Sequence, residues 1–209
     1  IILIWFNARR YPSAIYLGLF FLGVSLYGIY HYVLGRSGSI SLISVFLVLI
    51  PILGSVLYLI GPLFYWYFRS VLTDSPLLRK GDLWHFLPMG IFFLASLPSS
   101  FGPFSEKVEA AEAIANGIGG ITQYKPTLLS GLFSYPVMFF SRPAIILCYT
   151  LWVLGLFLSY LSRNQAERVF SHQRYMIGWL SLLLGALLVM VISHMLHLVE
   201  LTGEGSWLG

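Results

Sequence analysis

The chain has 209 residues, of which 58% are hydrophobic and only 10% are charged, and its formal net charge is +4. A soluble domain carries about 25% charged residues, so the composition excludes an ordinary soluble globular protein and requires lipid as the solvent for most of the apolar surface. The excess of basic residues lies in loops between apolar runs, so it is not a signal for nucleic-acid binding.

The apolar residues form long continuous runs rather than alternating segments of about ten residues. In hydrocarbon every backbone N–H and C=O must be paired inside the protein, which leaves helices or a closed barrel. The continuous runs exclude the barrel. We therefore predict an all-α fold, a polytopic membrane helix bundle, and the one cysteine, Cys148, permits no intrachain disulfide.

Hydropathy predicts six crossings in chain order. They are a partial span over 1–6 and full spans over 14–34, 40–68, 83–97, 143–161 and 175–199. The chain opens inside an apolar stretch, and Trp207-Leu208 would begin another. We therefore expect a seven-helix bundle whose first helix is truncated and whose last helix is missing.

Prolines mark the expected irregularities. Pro51, Pro62 and Pro88 are predicted kinks and candidate pivots, because proline removes a hydrogen bond from the helical ladder. Ser141 is the predicted N-cap of the 143–161 span, with Pro143 in its first turn.

The segment 105–116 is predicted to form an amphipathic helix on the outer face. Val108, Ala111, Ile114 and Ala115 share one side, and three glutamates share another. We favour an interfacial helix that lies on the bilayer or caps the bundle. The alternative is a lid over an outward-facing pocket.

Every second loop is basic, which is the positive-inside pattern of a multi-pass membrane protein. One set of loops carries eight basic residues against three acidic ones, and the other carries four, Arg142 among them, against five. We therefore predict that loops 7–12, 69–82 and 162–174 are cytoplasmic, and that loop 98–140 and residues 200–209 are periplasmic or extracellular. The expected membrane is the bacterial inner membrane.

Four polar residues at predicted outer helix ends form the first group of candidate site residues: His31, His194, His197 and Glu200. Residues three apart on a helix are neighbours, so the last three lie close together, and His31 joins them if the two helix ends meet. Such a cluster is suited to sensing pH near neutrality or binding a polar ligand group. Interfacial packing is the simpler interpretation. We predict no metal and no cofactor, with Zn²⁺ as the weaker alternative.

The sequence offers little to an enzyme or a pump. No acidic or basic residue falls in the middle of a predicted span, although ion-coupled transporters usually need one. The two aspartates, Asp74 and Asp82, share one loop, which argues against a protease with paired aspartates, and no Gly-x-Ser-x-Gly elbow is present. We predict no catalytic residue. A small transporter or channel, and a lipid-directed enzyme using His85 or the His194/His197 pair, are the alternatives.

One block carries a family resemblance. It comprises Gly61-Pro62-Leu63-Phe64-Tyr65-Trp66-Tyr67-Phe68-Arg69-Ser70 and Leu78-Arg79-Lys80-Gly81-Asp82-Leu83-Trp84-His85-Phe86-Leu87-Pro88. This block resembles the membrane-bound bacterial transcription regulators of the AraC type, in which a seven-helix membrane sensor is fused to a cytoplasmic helix-turn-helix domain.

The resemblance implies a sensor in which a ligand at the outer face or within the membrane shifts the bundle between two packings. The signal-relay candidates are Pro62, Arg69, Arg79, Asp82 and His85. DNA binding would belong to an output domain that is not in this chain, and a kinase is the alternative output. Membrane lipid and an unknown ligand are the expected partners, and a homodimer is the expected assembly, since such regulators act on paired half-sites.

Overall fold

The computed structural model describes residues 11–35, 37–116, 127–131, 135–163 and 171–203. These residues form helices joined by turns, with no strand among them, which confirms the all-α prediction. The α-helices are α1 (Ser13–Gly35), α2 (Ile40–Val56), α3 (Ile60–Thr73), α4 (Leu87–Ser100), α5 (Phe104–Ala115), α6 (Tyr135–Arg163) and α7 (Ser171–Gly203). Short 3₁₀ segments occupy Leu57–Leu59, Lys80–Phe86 and Leu128–Gly131.

Five helical stretches of the described chain are long and apolar enough to cross a membrane. They are Ser13–Gly35, Ile40–Thr73, Lys80–Ser100, Phe140–Arg163 and Arg174–His197. Each coincides with one of the five predicted full spans, and the chain is a multi-pass membrane protein. The predicted partial span over 1–6 lies outside the described residues, as do positions 7–10, 164–170 and 204–209 of the predicted loops and outer end.

The described chain divides into two compact units. The first contains Leu19–Ile60 and Arg79–Arg142. The second contains the described residues up to Gly18, Gly61–Leu78, and the described residues from Pro143 onward.

A change of helix type precedes Pro62, and the kink predicted there stays a prediction. α2 and α3 are separated by the 3₁₀ segment Leu57–Leu59. Pro62 has no N–H to donate to the carbonyl of Tyr58, and its ring would collide with that carbonyl in a regular α-helix. The chain tightens into 3₁₀ geometry just before the proline. Pro51 lies inside α2, which continues as an α-helix past it.

Pro88 is placed in the same way as Pro62: it lies in the first turn of α4, directly after the 3₁₀ segment Lys80–Phe86, and the kink predicted there stays a prediction. The N-cap prediction for Ser141 is wrong. Ser141 is not an N-cap, because α6 already begins at Tyr135 and contains both Ser141 and Pro143. The apolar residues before Ser141 continue the helix toward its N-terminus.

The predicted amphipathic helix is confirmed as α5, within one residue at each end, while its outer position stays a prediction. Its predicted apolar side is buried at Ala111 and Ile114, and the helix packs against α2. The glutamates on the opposite side are exposed. Lys107 is also buried, which the periodicity did not predict. Whether α5 acts as an interfacial helix or as a lid stays a prediction.

Gly61 provides a test of the packing in the second unit. A Cβ atom at Gly61 would lie 2.6 Å from Cδ2 of Tyr149, whereas one at Gly155 would meet nothing within 4 Å. We expect Gly61→Ala to lower the free energy of unfolding by about 1–3 kcal/mol, because the tyrosine ring must shift. Gly155→Ala is the control and should leave stability unchanged or slightly raised. Equal effects of the two substitutions in a denaturant titration in detergent would contradict this packing.

Candidate functional site

A buried cation is the most unusual polar feature of the first unit. Arg142 is only 3% exposed. The Cζ atom of its guanidinium lies 4.8 Å from the ring centroids of Tyr30 and Phe92 and 5.7 Å from that of Tyr58. Tyr30, Tyr58 and Phe92, which we call the aromatic cage of Arg142, are themselves buried.

The cage forms where α1, the first 3₁₀ segment and α4 meet the N-terminal half of α6. A missing side chain at Gly54 makes room: a Cβ there would lie 2.8 Å from Cε1 of Phe92 and 2.9 Å from Nη2 of Arg142. Tyr58 is held from two sides, by its hydroxyl at 2.7 Å from Oγ of Ser141 and by its ring at 5.4 Å from that of Phe92.

Ring faces are negative and attract a guanidinium, and the attraction grows when water is excluded. The cage therefore stabilises a positive charge that is shielded from solvent. Tyr27 also lies within electrostatic range of Arg142. Chemically, the site holds the planar guanidinium of Arg142 against three aromatic rings.

Arg142 corrects the sequence-based view of the membrane interior. We predicted it in an outer loop, with charges excluded from the spans, but it lies inside α6 and within the candidate span Phe140–Arg163. Counting every arginine as a loop residue missed it. The apolar run that precedes Ser141 was the signal that the helix begins earlier.

The predicted histidine cluster is split between the two units. His31, in the first unit, packs edge-on against Tyr27, with ring centroids 4.7 Å apart and planes at 87°. His194 and His197 lie on α7 in the second unit, the former partly buried and the latter exposed. Glu200 is in the same helix, and its side chain is outside the described part. Convergence of these four residues stays a prediction.

Among the described residues, no group of three or more His, Cys, Asp or Glu side chains is arranged to hold a metal ion. The contact of His31 with Tyr27 is typical of packing between aromatic side chains.

Arg69, a signal-relay candidate, is buried in the second unit and clamps the turn after α3. Its Nη2 donates to the carbonyl of Leu77 over 3.1 Å, and its guanidinium lies 5.5 Å from the ring centroid of Tyr65. Tyr16 donates its hydroxyl to the carbonyl of Pro76. These contacts fix the course of the chain after Thr73, where α3 ends. Pro62 lies in the first turn of the same helix.

Arg79, Asp82 and His85, the other relay candidates, lie at the second 3₁₀ segment in the first unit. The buried Asp82 carboxylate accepts a hydrogen bond of 2.6 Å from the backbone N–H of Arg79. Its other oxygen lies 3.8 Å from Nε2 of His85. Asp82 thus stabilises the start of the segment, since an acid is favourable in a first turn, and the partly buried His85 lies beside it.

Comparisons with protein-family models, with curated proteins and with solved structures find no match to this chain.

Phe92→Leu tests the aromatic cage of Arg142. The change keeps an apolar side chain but removes one ring face from the cation, so we expect it to cost about 2 kcal/mol more than a matched substitution elsewhere. Phe157→Leu is that match, since Phe157 is also buried and packs against a ring, Phe68, at 6.2 Å. The measurement is the free energy of unfolding in detergent.

A double-mutant cycle isolates the interaction. In an Arg142→Met background the extra cost of Phe92→Leu should vanish, because no cation remains for the ring to stabilise. An extra cost that persists without Arg142 would assign the effect to packing and refute the cage.

Proposed function

We propose that this chain is the membrane-embedded sensory domain of a bacterial transcription regulator of the AraC type. It lies in the inner membrane, with the basic loops in the cytoplasm. It couples an extracytoplasmic or intramembrane signal to a cytoplasmic helix-turn-helix domain outside these residues, which would bind DNA as a homodimer. A sensor that drives another output, such as a kinase, is the related alternative.

The burial and hydrogen bonding of two polar residues in the resembling block support this proposal. Two of its polar residues, Arg69 and Asp82, are buried in their respective units at 5% and 4% exposure. Each bonds to backbone near the connection between α3 and α4. Burying such groups is costly unless they are bonded, so their use here supports an ordered connection rather than a passive tether.

An ordered connection is what a sensor needs on its output side. A ligand changes a conformational equilibrium only through different affinities for the two states, and the difference must reach the output through rigid contacts. Pro62, beside the 3₁₀ segment, is the candidate pivot, and the Arg69 clamp lies at the other end of α3. Both residues lie on α3, the helix that leads into the basic loop 69–82.

A transporter or channel is the second candidate, and Arg142 is the observation that favours it. Ionisable residues inside a membrane often mark the path of an ion or substrate. Flux of an anion into vesicles that contain the chain, abolished by Arg142→Met, would favour this alternative over the sensor.

The coding sequence beyond Gly209 tests the regulator proposal. We expect a further apolar span followed by a basic region with two helix-turn-helix motifs. In the full-length protein, Arg69→Gln should change reporter transcription by about fivefold or more, because coupling free energies are typically about 1–3 kcal/mol. Arg163→Gln, at an exposed position, is the control and should leave transcription unchanged at equal protein level. A stop codon directly after Gly209, or a transport domain, would refute the proposal.

A further inference from the structure

The segment 79–87, which we call the headgroup segment, presents an unusual surface in the first unit. Leu83 is 71% exposed and Trp84 is 74% exposed, although both are large apolar side chains. Leu87, at the start of α4, is half exposed. Arg79 and Lys80, at the other end of the segment, are exposed as well.

The period of the 3₁₀ helix explains this arrangement. With three residues per turn, residues at i and i+3 share one edge. Asp82 and His85 form the edge that faces the protein, where Asp82 is buried and His85 partly buried. The remaining edges carry Lys80, Leu83 and Trp84 outward, and Arg79, which precedes the 3₁₀ turns as an N-cap residue in extended conformation, is exposed as well.

Asp82, the acidic residue of this segment, is therefore not part of the exposed surface. The carboxylate of Asp82 accepts the backbone N–H of Arg79 and lies near His85. What remains outside is two cationic side chains followed by leucine and tryptophan. The outer surface is thus both positively charged and apolar.

The position of the segment selects a lipid as its partner. The headgroup segment begins the candidate span Lys80–Ser100, so it lies where that span meets water. Tryptophan is enriched at this depth, and basic side chains next to apolar ones favour anionic lipids. We infer that the headgroup segment lies in the membrane interface and binds anionic phospholipid headgroups through Arg79 and Lys80, with Leu83 and Trp84 inserted among the acyl chains.

This inference does not depend on the regulator proposal, since a transporter with the same surface would bind the same lipid. Each basic side chain near an anionic surface raises affinity by about fivefold. Together Arg79 and Lys80 should therefore contribute roughly thirtyfold, and the apolar insertion adds to this without regard to headgroup charge.

The test uses the whole chain in a neutral detergent, titrated with dioleoylphosphatidylglycerol or dioleoylphosphatidylcholine while the thermal unfolding midpoint is followed. We expect the anionic lipid to raise the midpoint at concentrations where the zwitterionic lipid does not. The double variant Arg79→Gln/Lys80→Gln should need roughly thirtyfold more anionic lipid for half of the shift. Because both side chains are exposed, the variant should unfold at the native midpoint without lipid.

Arg163→Gln/Arg174→Gln is the control, since it removes the same charge from exposed positions at the ends of two other candidate spans, and it should weaken the lipid response less because its two cations are not adjacent. Trp84→Ala should weaken the response without changing the charge. The inference is overturned if both lipids act alike, if the control loses as much as the test variant, if Trp84→Ala has no effect, or if inorganic phosphate reproduces the shift.

Discussion

The absence of water is the constraint on which the rest of this structure depends. In hydrocarbon, each polar group must be satisfied within the protein, and the helices meet that demand for the backbone. Hydroxyl groups inside the spans are satisfied in the same local way: Ser25, Ser44, Ser55, Ser96 and Thr150 each donate to the carbonyl four residues earlier. The charged guanidinium of Arg142 is the hardest group to satisfy. The attraction between this cation and the three surrounding rings offsets part of the cost of burying it.

Between helices, lipid offers no hydrophobic gain, so close packing and a few hydrogen bonds must hold the helices of each unit together. Gly54 and Gly61 allow close approach, the first beside Arg142 and the second beside Tyr149. Interhelical bonds supplement them, such as the Trp179 indole N–H donating to the Tyr67 hydroxyl over 3.1 Å. Near the polar ends of the helices, Arg69 and Asp82 are buried and bond to the backbone. Arg79 and Lys80 remain exposed. The proposed sensor and the proposed lipid contact both use this separation of inward-facing and outward-facing charge.

The five membrane-spanning helices were predictable from hydropathy. A membrane requires long apolar helices, and polar residues in the sequence mark where each one ends. The same holds for α5, where the spacing of Ala111 and Ile114 predicted the buried side. What depends on tertiary contacts was not predictable. Arg142 reads as a loop residue until three rings from distant positions surround it, and Ser141 reads as a cap until α6 is seen to begin at Tyr135. The spacing of His194 and His197 on α7 was evident from the sequence. Spacing along one helix does not predict the contacts of His31, which lies on α1.

The orientation of the chain in the membrane is the claim on which the sensor account depends most directly. It can be measured by labelling single cysteines with a membrane-impermeant maleimide in a Cys148→Ser background. Leu77→Cys reports on the basic loop 69–82, and Ser105→Cys reports on the acidic loop 98–140; both positions are exposed. The account predicts that Ser105→Cys is labelled in intact spheroplasts and that Leu77→Cys is labelled only after lysis. The opposite pattern would place the clamped connection outside the cell and contradict the account.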